Sequence, residues 1–266
     1  MTSLQGKRAL ITGGTQGVGQ AIALALAGAG ADCLLVGLTA DGTAQQTVQA
    51  CRQQGVQCEL ICCDLAREPD QYLDDLMQQI EQTLPGIDLL VNNAGTYVDL
   101  PFLEMDFQRY QKTFHLNVTA GFFLTQRIAQ RWVQQGVSGR IVFTGSINGV
   151  LSEPDHVAYD ASKGAVAAMV RSLCVSLAPH GIRVNSMAPG LVRTPLTSGA
   201  IDADGFGQWM SLHTPSGVVP DAKVCGDVAL FLLSDAAQHI HGQTLYVDGG
   251  MSVWQQPDPP AGWSPS

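Results

Sequence analysis

At 266 residues the chain suits one large α/β domain with a sizeable hydrophobic core. Its formal charge is −9 and no Lys/Arg run exceeds two residues, which argues against nucleic acid as a partner. The start, "MTSLQGKRALITGG", lacks a long apolar segment, so neither signal peptide nor membrane anchor is expected, and no later run is expected to span a bilayer.

Apolar runs then alternate with segments of helical length. Strands are predicted over Arg8–Thr12, Cys33–Gly37, Gln57–Cys63, Leu89–Asn92, Arg140–Thr144, Arg183–Met187 and Thr244–Val247. Several are nearly all apolar, as strands covered on both faces are. Helices are predicted in "QAIALALAGAG", "AQQTVQACRQQG", "YLDDLMQQIEQTL", Gln108–Gln135 and "ASKGAVAAMVRSLCVSLAPHG". This alternation predicts a single-domain, Rossmann-like α/β fold over residues 1–252, a doubly wound parallel sheet of about seven strands with helices on both faces. Residues 193–222, rich in Gly, Thr, Ser and Pro, read as a substrate lid with a short helix around Phe206–Leu212. Residues 253–266 read as a Pro-rich tail whose Trp254 and Trp263 could reach a neighbouring subunit. The seven cysteines (Cys33, Cys51, Cys58, Cys62, Cys63, Cys174 and Cys225) have no CxxC spacing. They read as reduced, mostly packed thiols of a cytoplasmic protein, with no metal site.

The first strand runs into a glycine turn and an alanine-rich helix, "ALITGGTQGVGQAIALALAGAG". Gly13, Gly17 and Gly19 allow a tight turn that brings backbone N–H groups to a helix N-terminus, an arrangement suited to a pyrophosphate. Tyr159 and Lys163 lie one helical turn apart, and the lysine is followed by a core-like run. A buried ammonium there needs a reason.

Thr12-Gly13-x-x-x-Gly17-x-Gly19 resembles the nucleotide-binding motif of the short-chain dehydrogenase/reductase family. The likeness continues in order through "CCDLA" with Asp64 and Leu65, "VNNAG" with Asn93, Ala94 and Gly95, "LNVTAGF" with Asn117, and "VFTGS" ending at Ser146. It then runs through Tyr159-x-x-x-Lys163, "APGLVRT" and "GQTLYVDGG", covering roughly residues 4–252. The resemblance implies hydride transfer between a substrate carbinol carbon and a nicotinamide, with Asn117, Ser146, Tyr159 and Lys163 catalytic. Tyr159 would be general base in oxidation and general acid in reduction, its phenolate favoured by the Lys163 ammonium. Ser146 would hold the substrate oxygen, Lys163 the nicotinamide ribose, and Asn117 would complete a water-linked proton path. The same likeness implies that Gly13, Thr15, Gln16, Gly17, Val18, Gly37, Leu38, Asp64, Leu65, Asn93, Ala94, Gly95, Tyr159, Lys163, Pro189, Gly190, Val192 and Thr194 surround the cofactor. Plainer roles remain for some: Asp64 and Thr194 as helix caps, Asn92 and Asn93 as turn formers. A homo-tetramer built on the helices containing Gln108–Gln135 and Ala158–Leu177 is also implied.

An acid at the end of the second strand would bind the ribose hydroxyls of NAD, and "VGLTADG" offers Gly37 and Leu38 there instead. No Lys or Arg occurs from Ala9 to Cys51 to offset a 2′-phosphate, so NAD(H) is favoured, with NADP(H) the alternative. The small-molecule substrate should be rimmed by Ser146, Asn148, Glu153, His156 and Tyr159. Polar Glu153 and His156 suit a sugar, sugar acid or polyol, although Glu153-Pro154-Asp155 also reads as a plain turn. A 3-oxoacyl carrier-protein reductase is the second reading, and a non-catalytic nucleotide sensor the third.

Overall fold

The computed structural model describes residues 3–203 and 205–254, so most of the tail, with Trp263, lies outside the described residues. Among them run β1 (Arg8–Thr12), β2 (Asp32–Gly37), β3 (Cys58–Cys62), β4 (Leu89–Asn92), β5 (Arg140–Thr144), β6 (Arg183–Pro189) and β7 (Thr244–Val247). They pair in parallel in the order β3-β2-β1-β4-β5-β6-β7. The helices are α1 (Gly17–Gly28), α2 (Gly42–Arg52), α3 (Leu73–Thr83), α4 (Phe107–Phe114), α5 (Ala120–Gln135), α6 (Val157–Leu177), α7 (Ser198–Ile201), α8 (Phe206–Leu212) and α9 (Lys223–Leu233).

Successive strand residues face two cores. Leu10, Leu34, Leu90, Ile141 and Phe143 pack with Leu76 and Ile80 of α3, Leu124, Ile128 and Trp132 of α5, and Val166 and Val170 of α6. Their neighbours Ile11, Leu35, Val91 and Val142 pack with Ile22 and Leu26 of α1, Val48 of α2, and Ala229 and Leu233 of α9. Burial on both faces explains why the centres of β1, β2, β4 and β5 carry consecutive apolar residues. The strand order reverses between β1 and β4, and a ligand crevice belongs at the carboxyl ends of the strands there.

Three departures from the predicted elements matter. No helix is predicted over Lys223–Leu233, yet α9 forms there and packs along α1. Its signal was present, because Val224, Cys225, Val228, Ala229, Leu232 and Leu233 repeat at helical spacing. Arg183 donates from Nη2 to the carbonyls of Leu232 and Ser234 at 2.8 and 2.7 Å, placing a cation at the C-terminal end of that helix. The single helix predicted over Gln108–Gln135 is α4 and α5 joined by a π-helical turn, His115–Thr119, which carries Asn117. Finally, Val157–His180 is long and apolar enough to cross a membrane, contrary to the expectation that no run is. Here it is α6 and its continuation, with Ser162, Lys163, Val166 and Val170 buried.

Candidate active site

The glycine turn leaves β1 at Thr12, whose Oγ1 accepts from the backbone N–H groups of Asn93 and Ala94, each at 3.0 Å. Asn93 Nδ2 donates to the carbonyls of Thr12 and Gly13, both at 3.1 Å, and its Oδ1 accepts from Thr144 Oγ1 at 3.1 Å. The ends of β1, β4 and β5 are thereby tied into one polar knot. Gly13 and Gly17 have φ of 61° and 57°, a region that glycine enters without strain. The N-cap of α1, Gln16, makes no side-chain bond to the helix, and its first turn holds no acid. The leading backbone N–H groups are left for an anion, so the turn fits a dinucleotide pyrophosphate. Gly17 also lies against Thr194, since a Cβ added there would stand 3.4 Å from Thr194 Cβ. The glycine turn and the Pro189–Thr194 segment, with Gly190 and buried Val192, therefore adjoin.

A Cβ on Gly19 would stand 2.0 Å from the Gly13 carbonyl oxygen, and backbone cannot swing aside as a side chain can. Gly19→Ala is expected to cost about 3 kcal/mol of stability by overpacking. It should also weaken nucleotide binding more than about tenfold, a loss of about 1.4 kcal/mol. Denaturant unfolding and a fluorescence titration with NADH check both.

At the end of β2, a Cβ on Gly37 would stand 2.7 Å from Thr15 Cγ2, so a side chain there would require Thr15 to shift. Thr15 is itself held by buried Thr47, which donates to its carbonyl at 2.8 Å. Leu38 is exposed. Asp41 caps α2: its carboxylate accepts from Ala44 N at 2.9 Å and from Thr39 Oγ1 at 3.0 Å, and these bonds hold its carboxyl below the usual range. Arg52, the first cation after this stretch, is engaged by the Cys58 carbonyl and Glu59. Asp64 is exposed and accepts from Ala66 N at 3.0 Å, while Leu65 is buried.

Tyr159 stands in the first turn of α6, and Ser146 caps the short turn Ile147–Gly149, its Oγ accepting from Asn148 N at 3.1 Å. One turn beyond Tyr159, Lys163 is only 6 % exposed; its Nζ donates to the Thr144 carbonyl at 2.9 Å and lies 5.6 Å from the Tyr159 ring centroid. Burial lowers its pKa to about 8. Burial also raises the pKa of Tyr159; a hydrogen bond with Ser146 opposes this, and Asp160, Glu153 and Tyr97 add to it. Burial is the largest influence on the phenol's ionisation and acts against the draw towards phenolate expected of Lys163.

Asn117 sits in the π turn with its side chain fully engaged. Its Oδ1 accepts from Thr96 N at 2.8 Å, and its Nδ2 donates to the Thr96 carbonyl and to Ser162 Oγ, both at 2.9 Å. Ser162 Oγ in turn donates to the Tyr159 carbonyl at 2.6 Å. A Cβ on Gly95 would lie 3.2 Å from Asn117 Oδ1 and 3.8 Å from Lys163 Nζ, so these three residues meet.

On the outer side, Asn148 Nδ2 donates to Asp160 at 2.8 Å and to Glu153 at 3.2 Å, so its amide braces the loop. His156 Nε2 is hydrogen-bonded to the Asp99 carboxylate, and its Nδ1 lies 3.2 Å from a Glu153 carboxylate oxygen without a hydrogen bond to it. The rings of Tyr97, His156 and Tyr159 meet edge-on, with centroids 5.6 to 6.1 Å apart. Tyr97, Asp99, Thr144 and Asp160 were not among the predicted site residues. Tyr97 and Asp99 follow the carboxyl end of β4, and that position was the available signal.

With this geometry in place, comparison with known proteins becomes informative. The family profile described as enoyl-(acyl carrier protein) reductase matches residues 13–252. The 5-keto-D-gluconate 5-reductase of Escherichia coli (strain K12) is 34% identical over 251 residues, covering 94% of this chain and 97% of that protein. Glucose 1-dehydrogenase of Gluconobacter oxydans is 31% identical over 249 residues, covering 94% and 93%. A crystal structure of a gluconate 5-dehydrogenase from Burkholderia cenocepacia J2315, in complex with NADP and tartrate, superposes with a TM-score of 0.86 at 30% identity, covering 94% and 96%. The chain belongs to the short-chain dehydrogenase/reductase family, oxidoreductases that act on CH–OH groups.

Proposed function

We propose that this oxidoreductase interconverts a secondary alcohol and a ketone on a sugar, sugar acid or polyol, with Tyr159 carrying the proton. The observation that carries this reading is the convergence of Ser146, Tyr159 and buried Lys163 beside a glycine turn with free helix N–H groups. A bound nicotinamide dinucleotide supplies the hydride acceptor or donor. Gly13, Thr15, Gln16, Gly17 and Val18 hold its phosphates, Gly37, Leu38, Asp64 and Leu65 its adenosine end, and Asn93, Ala94, Gly95, Lys163, Pro189, Gly190, Val192 and Thr194 the remainder. Ser146 fixes the substrate oxygen. Tyr159 gives that oxygen a proton in reduction and removes it in oxidation. The Asn117 side chain is committed to Thr96 and to Ser162, whose Oγ donates to the Tyr159 carbonyl, so Asn117 supports the start of the helix that carries Tyr159.

NAD(H) is the favoured cofactor, on the absence of a cation from Ala9 to Cys51 and the engagement of Arg52. Leu38→Arg is expected to raise NADPH affinity relative to NADH about tenfold by adding a charge-assisted contact. Parallel titrations of wild type and variant check this, and an unchanged ratio means that a cation already serves the 2′-phosphate. Exposed Phe107, Tyr110, Phe122, Phe123 and Val175 on α4, α5 and α6 support a homo-tetramer closed by these helices. The free cysteines support a reducing compartment such as the cytoplasm.

The acyl-carrier-protein reading needs cations to dock an acidic carrier. Of the two cations at the lid, Arg193 is paired with Asp202 and Lys223 with Asp227, each at 2.8 Å, which disfavours that reading. Titration with both reduced nucleotides, followed by a panel of polyols, sugars and sugar acids, tests the proposal. Failure to bind either nucleotide overturns it, as does turnover confined to 3-oxoacyl thioesters.

A further inference from the structure

Two loops form the rim beside Tyr159. Thr96–Leu100 follows β4 and Leu151–His156 precedes α6, and Leu100 N donates to the Asp155 carbonyl at 3.0 Å to join them. His156 sits at the joint, hydrogen-bonded through Nε2 to Asp99 of one loop and with Nδ1 3.2 Å from the Glu153 carboxylate of the other. Asp160 closes the arrangement, accepting from Asn148 Nδ2 at 2.8 Å and from Glu153 N at 3.1 Å. The arch thus holds four carboxylates (Asp99, Glu153, Asp155 and Asp160) and one histidine. Even with His156 protonated, its net charge is negative.

Nothing on the adjoining segments offsets this. Residues 96–100, 146–160 and 188–197 contain no lysine, and their one arginine, Arg193, is paired with Asp202. Lys163 lies behind Tyr159, turned to the Thr144 carbonyl. The same negative field reaches the reacting region: Glu153 and Asp160 oppose ionisation of Tyr159, and Asp99 and Glu153 oppose that of Tyr97, in both cases adding to burial. A substrate carboxylate entering here would meet the same repulsion. A hydroxyl-rich neutral chain would find carboxylate acceptors in Asp99 and Glu153, whose side chains are 63% and 59% exposed.

We infer that, within the sugar-directed reading on which this inference rests, the site takes an uncharged polyol or sugar and discriminates against the sugar acid of the same configuration, through the carboxylates of Asp99, Glu153 and Asp160. Asp99 and Glu153 are specificity-determining residues. Their effect is moderated by water, and a discrimination of about tenfold per substrate negative charge is expected at low salt.

The test measures kcat/KM for matched pairs that differ only in CH2OH against carboxylate: glucitol and gluconate, mannitol and mannonate, galactitol and galactonate. Wild type, Asp99→Asn and Glu153→Gln are compared at low and high sodium chloride. The expected result is that the best neutral alcohol exceeds its acid about tenfold, and that each substitution and added salt narrow the gap several-fold by raising the acid's rate. Faster turnover of the acid by wild type, or a ratio untouched by both substitutions, overturns the inference and leaves the sugar-directed reading standing. Turnover of neither class, with nucleotide still bound, overturns that reading and this inference together.

Discussion

Replacing Tyr159 with phenylalanine is expected to lower turnover about a thousandfold while nucleotide affinity changes by less than about twofold. The substitution removes a proton carrier and little else. The phenol's hydrogen-bond partner, Ser146, keeps its bond from Asn148 N, and the ring keeps its edge contacts with Tyr97 and His156. The direction of the Tyr159 shift adds a prediction about pH. Because burial raises its pKa above the ordinary tyrosine value, the phenol is protonated at neutral pH. Carbonyl reduction, which needs that proton, should be flat through neutrality and fall only at high pH. Alcohol oxidation, which needs the proton gone, should climb as pH rises. Rates in both directions across pH, with fluorescence titration of Tyr159→Phe, check these outcomes. A variant that keeps more than about a tenth of wild-type turnover would remove Tyr159 from the proposed role, since a proton carrier contributes at least a hundredfold.

Lys163→Met is expected to abolish activity and, at neutral pH, to stabilise the fold. Burial lowers the lysine to about 8 in the folded protein, against about 10.4 in an unfolded chain. Between those values the unfolded chain holds one more proton than the folded one, so wild-type stability rises with pH across that window. Below about pH 8 the ammonium is buried and charged, at a cost of about 3 kcal/mol. Methionine fills a similar volume without that cost, although it leaves the Thr144 carbonyl without its donor, which returns about 1–2 kcal/mol. The expected net gain is about 1–2 kcal/mol at pH 7, vanishing near about pH 9 and reversing to a small loss by about pH 10, where only the missing donor to Thr144 counts. Denaturant unfolding at several pH values measures it. A variant less stable at pH 7 would mean that the Thr144 carbonyl and its surroundings hold the ammonium better than burial penalises it. The lysine's presence, in this view, is a functional choice made against stability.

Much of the fold was legible because its signals are local. Strands buried on both faces carry consecutive apolar residues at their centres, and β1, β4, β5 and β7 match their predicted bounds. The glycine turn was legible for the same reason: Gly13, Gly17 and Gly19 meet backbone demands that neighbouring residues create. The helix α9 was missed although its spacing was in the chain, because it lies between a loop-rich segment and the last strand. The π turn at His115–Thr119 was missed because nothing in that run marks a widened helical turn.

The parallel α/β architecture, the glycine turn, and the pairing of Tyr159 with Lys163 one helical turn away follow from local spacing along the chain. How those residues are charged and what surrounds them follow from packing. Whether Lys163 lowers the pKa of Tyr159 depends on burial, and burial dominated. That Asp99 meets His156, 57 residues later, depends on how two loops leave β4 and enter α6. Local spacing is written in the chain because backbone geometry repeats, whereas solvation and long-range charge come from every element packed around a group.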